Sequence, residues 1–98
     1  MKAVMYKESW WTEEDVTECY SYGLKLLNAG FEILGLTEHE FDPQGYTVIY
    51  LLSESHLAIH TFPEENQTYF ELTSCVKEPF DKFMEAVPAL AKNKEETK

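Results

Sequence analysis

Residues 56 to 76 alternate in polarity with a period of two. Leu57 and Ile59 fall on one side of an extended chain and His56, Ala58 and His60 on the other. After the break PEENQ, Phe70 and Leu72 alternate in the same way with Tyr69, Glu71, Thr73 and Cys75. A period of two belongs to a half-buried strand, since successive side chains leave opposite faces of a sheet. Two such runs so close in sequence predict an antiparallel hairpin, Leu57–Phe62 with Thr68–Val76. Matching their apolar faces sets the register. With a turn around Glu64–Gln67, His60 is expected opposite Glu71 and His56 opposite Cys75. One face of the hairpin then carries His56, His60, Glu71 and Cys75, with Ser55 at its mouth, while the other face packs on helices.

The rest of the chain supplies partners for that hairpin. Lys2–Tyr6 reads as a short first strand. Thr12 and Asp15 have the spacing of a capping box. Val16, Cys19, Tyr20, Gly23, Leu24 and Leu27 then recur at helical spacing, and Gly30 suits the left-handed position after a helix. Phe31–Leu36 is a second strand, followed by a polar loop over Thr37–Gly45 that contains His39, Pro43 and Gly45. Thr47–Leu52 is β-branched and apolar, a buried strand. Pro79 fits the first turn of a second helix with Phe80, Phe83, Met84 and Val87 on its core face, and Pro88 ends it. Taken as the order β-α-β-β-β-α, this predicts an α+β fold, a two-layer α/β sandwich whose mainly antiparallel sheet carries two helices on one face. A chain of 98 residues has room for one domain, expected over residues 1–91, with a charged tail at 92–98.

Composition narrows the partners. Eighteen acidic against eight basic side chains give a formal charge of −10, which argues against nucleic acid or an anionic membrane. No apolar run approaches the roughly 20 residues of a membrane helix, and the N-terminus lacks a signal core. Cys19 and Cys75 make no disulfide framework, and no Cys/His cluster has zinc spacing, so no metal is expected. Cys19 lies on the apolar stripe and reads as a packed thiol. A reducing cytoplasm is the expected compartment.

On patterning alone, the polar hairpin face reads first as a solvated face. The sequence S-E-S-H-L-A-I-H-T-F-P-E, residues 53–64, changes that. It resembles the processing motif of prokaryotic S-adenosylmethionine decarboxylases, normally S-E-S-H-L-(S/T)-I-H-T-W-P-E, and Cys75 follows at the family's distance. Phe41 and Thr47 stand where that family has an aromatic and a hydroxyl residue. The resemblance extends from about Phe31 to Lys82. It departs at Phe62, where a Trp is usual, and at Val76, where a Gly usually follows the cysteine. Family members also continue past the second helix into another strand, whereas this sequence stops at Lys98.

The resemblance implies a proenzyme that cuts itself between Glu54 and Ser55. The Ser55 hydroxyl would attack the preceding carbonyl to give an ester, and elimination would convert residue 55 into a pyruvoyl group. His60 would assist the elimination and Thr47 would polarise the scissile carbonyl. The pyruvoyl cofactor would form a Schiff base with the α-amino group of S-adenosylmethionine, with Cys75 protonating the carbanion left by carbon dioxide. Phe41 would stack on adenine, Glu64 would hold the ribose hydroxyls and Leu57 would offer a backbone contact. The product would supply aminopropyl groups for spermidine synthesis. Family enzymes are dimers or larger homo-oligomers with sites near the protomer interface. Two alternatives stay open: a pyruvoyl-dependent decarboxylase of ornithine or arginine, and a non-catalytic ligand-binding homologue.

Overall fold

In the computed structural model, residues 3–13 and 21–86 are described. Leu57 and Ile59 are fully buried because their strand, β4 (Ser55–Phe62), lies in the middle of the sheet. On one side it pairs with β5 (Gln67–Ser74) and on the other with β3 (Tyr46–Leu52). β1 (Tyr6–Thr12) and β2 (Ile33–Glu40) form the two edges, giving the order β1-β5-β4-β3-β2. Every neighbouring pair is antiparallel. α1 (Tyr22–Ala29) and α2 (Lys77–Ala86) lie on one face. There Tyr22, Leu26, Phe80 and Phe83 close over Leu57, Ile59, Phe70 and Leu72. The expected two-layer α+β sandwich is therefore what forms. Four strands separate the two helices rather than three, since each candidate segment makes a strand of its own.

Several boundaries differ from expectation, each for a physical reason. The first strand is Tyr6–Thr12, not Lys2–Tyr6. Seven residues pair with β5, and Trp10 stacks on Phe70, directly opposite, at a centroid distance of 5.3 Å. Burying an indole this way extends the strand past Tyr6; truncating a buried Trp typically costs about 3–5 kcal/mol. Thr12 ends the strand, buried and opposite Thr68. Asp15, Val16, Cys19 and Tyr20 lie outside the described residues. α1 buries Tyr22, Leu26 and Ala29 and leaves Leu24 and Leu27 exposed, so its apolar face is rotated from the one the spacing suggested. Its end follows expectation: Gly30 takes φ 105°, its N–H donates to Leu27 O, and the N–H of Phe31 donates to Leu26 O.

The second strand runs on through the polar residues Thr37–Glu40, including His39, which were expected in a loop. At an edge, charged side chains cost little and block further pairing. Only residues 41–45 turn the chain, closed by the N–H of Phe41 donating to Gly45 O at 2.8 Å, with Gly45 at φ 114°. α2 starts at Lys77, two residues before Pro79; Phe80 and Phe83 are buried and Met84 packs beside them. Val87, Pro88 and the 92–98 tail fall outside the described residues.

The hairpin register also shifts. His60 sits opposite Tyr69 and His56 opposite Thr73, while Glu71 faces Ala58. Pro63–Glu65 forms a 3-10 turn ended by Asn66 in the left-handed region, which pairs Phe62 with Gln67. That connection lies one residue earlier than the turn expected from sequence. The displacement is two residues, an even number, so every side chain keeps its face.

Candidate active site

The face of the sheet turned away from the helices bears Thr47, Ile49 and Leu51 on β3, His56 and His60 on β4, and Glu71 and Thr73 on β5. Its polar groups gather at the two ends of β4.

At the first end stands Ser55, half-buried at the start of the strand and paired with Ser74. Its hydroxyl is hydrogen-bonded to the Thr73 hydroxyl and lies 3.5 Å from His56 Nδ1. Thr73 Oγ1 is 3.3 Å from the same nitrogen. One residue upstream, the Glu54 carbonyl oxygen accepts a hydrogen bond from the Cys75 N–H at 3.2 Å. The peptide bond joining residues 54 and 55 thus has a hydroxyl on one side and an N–H on its oxygen. Cys75 is a free, exposed thiol just past the end of β5. Its turn is tied by Ser74, whose hydroxyl donates to Val76 O at 2.7 Å and accepts from Val76 N–H at 3.0 Å. Val76 has no positive φ, so nothing there requires glycine.

The second end begins at His60. Its Nδ1 lies 2.9 Å from Thr47 Oγ1 on the neighbouring strand, and its ring stacks against Tyr69 with centroids 6.2 Å apart. Trp11 packs on both Phe62 and Tyr69 close by. Beyond lies a cleft of about 300 Å³ lined by residues that include Phe41, Gln44, Tyr46 and Thr61. Phe41 is half exposed there. Glu64 borders the cleft through Gln44, whose Nε2 donates to Glu64 Oε1 at 3.4 Å. Leu57 keeps its side chain in the core between Tyr50 and Leu72.

The expected residues therefore fall into two groups. Ser55, Glu54 and Cys75 meet at one end; Thr47, His60, Phe41 and Glu64 meet at the other. His60 lies five positions along the strand from Ser55, roughly 16 Å at about 3.3 Å per residue. A proton does not pass directly across that distance.

The family profile described as S-adenosylmethionine decarboxylase matches residues 14–97. The chain belongs to the S-adenosylmethionine decarboxylase family. Among curated relatives, the S-adenosylmethionine decarboxylase proenzyme 2 of Bacillus anthracis is 49% identical over 47 residues, 48% of this chain and 38% of the relative. The S-adenosylmethionine decarboxylase proenzyme of Prochlorococcus marinus is 47% identical over the same length and with the same coverage. The match thus spans well under half the length of these relatives. The solved adenosylmethionine decarboxylase of Aquifex aeolicus aligns with a TM-score of 0.69 at 19% identity, covering 94% of this chain and 83% of that one, which establishes a shared fold.

Three participants in this S-adenosylmethionine decarboxylase fold went unassigned in the sequence: the Thr73 hydroxyl, the Cys75 peptide N–H and the Gln44 amide. Thr73 had a signal, since it shares the alternation of Glu71 and Cys75. Nothing in the local sequence marks Gln44, whose contact depends on how two separate turns meet.

Proposed function

We propose that the chain is a self-processing proenzyme that cleaves at Glu54–Ser55 and then decarboxylates S-adenosylmethionine, supplying the aminopropyl donor for spermidine synthesis. The observation that carries this reading is the Glu54–Ser55 peptide bond, with its own serine hydroxyl beside it and the Cys75 N–H on its carbonyl oxygen. A peptide N–H so placed also stabilises the oxyanion that forms when the hydroxyl attacks. These residues fit a pyruvoyl group made from Ser55, because the precursor hydroxyl, the scissile carbonyl and a thiol share one end of the sheet. Once formed, such a group supplies an electrophilic carbonyl that accepts the electrons released with carbon dioxide. Cys75 holds a proton at Sγ for the substrate α-carbon, and Phe41 and Glu64 bind adenine and ribose. Leu57 keeps its expected part as a backbone contact.

The separation of Ser55 from His60 makes a second copy part of this reading. The sheet face bearing His60, and Thr73 to which the Ser55 hydroxyl is hydrogen-bonded, is covered by neither described helix, and Ile49 and Leu51 are exposed on it. Two copies packed through that face with strands reversed bring His60 and Thr47 of one to Ser55 of the other. The cleft of Phe41 and Glu64 then approaches the same Ser55. A homodimer with composite sites accounts for why the expected residues split into two groups.

Residues 1–91 act as one domain in this reading, with 92–98 as a tail. No helix among the described residues is long and apolar enough to cross a membrane. The free Cys75 thiol is in keeping with a reducing cytoplasm. The test is an intact-mass spectrum of the wild-type chain and of Ser55→Ala, followed by carbon dioxide release from S-adenosylmethionine, ornithine and arginine. Two fragments from wild type, one chain from the variant, and turnover of S-adenosylmethionine alone are expected. An uncleaved wild-type chain defeats the proenzyme reading, and turnover of ornithine or arginine instead moves the substrate to a basic amino acid.

A further inference from the structure

Attack by Ser55 requires its hydroxyl to lose a proton, and His60 is too distant in the same chain to take it. We propose that Thr73 and His56 form a proton relay that activates Ser55 within its own chain. This inference rests on the self-processing reading and adds to it the base for the first step.

Three observations carry it. The Ser55 hydroxyl is hydrogen-bonded to the Thr73 hydroxyl, which lies 3.3 Å from His56 Nδ1; the direct path from Ser55 to that nitrogen is longer, at 3.5 Å. Thr73 is buried, with 7% of its surface exposed, and a buried hydroxyl keeps fixed partners, since leaving one unmade is costly. Register supplies the third: Thr73 lies directly opposite His56 on the central strand pair, so sheet pairing itself holds the two together.

The step balances without an outside reagent. With His56 as its Nε2–H tautomer, Nδ1 accepts the Thr73 proton while Thr73 Oγ1 takes the proton of Ser55. Ser55 Oγ bonds to the Glu54 carbonyl carbon, and the negative charge formed on the carbonyl oxygen is held by the Cys75 N–H. The carbon–nitrogen bond then breaks. The proton returns from His56 through Thr73 to the Ser55 nitrogen, leaving an ester and a free amine. Thr73 touches the reacting oxygen throughout, and His56 acts through it.

The experiment follows cleavage of the full-length chain in time after cell-free synthesis and translation arrest, measuring the uncleaved fraction by intact mass with and without hydroxylamine. Thr73→Val keeps the shape and removes the hydroxyl. It is expected to slow cleavage about 10²-fold or more, the lower range for a general base, and to accumulate a chain that hydroxylamine leaves intact. Thr73→Ser should restore the rate, and His56→Gln should match Thr73→Val. Cleavage of Thr73→Val or His56→Gln at the wild-type rate overturns the relay. So does equal slowing in Thr73→Ser and Thr73→Val, or accumulation of a hydroxylamine-sensitive ester, which moves the defect past the attack. Failure of wild type to cleave, or cleavage of Ser55→Ala, instead defeats the self-processing reading beneath it.

Discussion

At the Ser55 end of β4, hydroxyls, an imidazole and a peptide N–H surround a single peptide bond. At the Phe62 end, the imidazole of His60 is held by Thr47, and aromatic rings lead to an open cleft bordered by Phe41 and Gln44. The first end has what bond-making needs but only a small binding surface. The second has an open cleft and an imidazole, but no peptide bond so surrounded. One strand carries both and cannot bend back to join them. In the homodimer proposed above, a second copy with its strand reversed brings the two ends together.

The sharpest way to break this comparison is to separate the halves genetically. Ser55→Ala cannot cleave, and His60→Ala is expected to stall as the ester. Refolded together, the pair should yield cleaved His60→Ala chains, because the Ser55→Ala partner lends its His60. Absence of cleavage in the mixture, seen by intact mass, places His60 in the same chain as its target and defeats the composite site.

Cys75→Ala divides the chemistry within the first end. Its peptide N–H remains, so the chain should still cleave. Loss of the thiol should lower carbon dioxide release by about 10²–10⁴-fold, the scale of a general acid. Turnover at the wild-type rate removes Cys75 as proton donor.

At the second end, Phe41→Ala should weaken nucleoside binding by about 1–3 kcal/mol, as expected for a lost aromatic–base stack. Calorimetry with a non-reactive nucleoside analogue measures it, and cleavage should be unaffected. The smallest effect belongs to Gln44→Ala. Its exposed hydrogen bond to Glu64 should contribute no more than about 1 kcal/mol to the same binding. If Gln44→Ala proves as damaging as Phe41→Ala, Gln44 meets the ligand itself instead of steadying Glu64.

Much of this was legible because alternation is written residue by residue. The faces of β4 and β5 could be read from Leu57, Ile59, Phe70 and Leu72, and the even shift in register left those faces correct. What could not be read depended on contacts between distant segments. Trp10 is drawn into a strand by Phe70, sixty residues on, so the first strand runs to Thr12 instead of ending at Tyr6. The 3-10 turn ended by left-handed Asn66 falls one residue earlier than expected and puts Thr73, not Cys75, across from His56. The twelve-residue motif identified Ser55 and His60 but gave no hint that strand length would hold them apart.

The sheet order has a consequence for the cleavage proposed above. A cut between residues 54 and 55 assigns β1, β2 and β3 to one piece and β4 and β5 to the other. Because the order is β1-β5-β4-β3-β2, the second piece is clasped between the first piece's strands on both flanks. Releasing either piece means tearing two antiparallel ladders, β1 from β5 and β3 from β4. The break itself falls beside the two-residue connection Ser53–Glu54, where the chain only crosses the rim. The molecule can therefore lose its covalent continuity and keep its shape, much as a dovetail joint holds without glue.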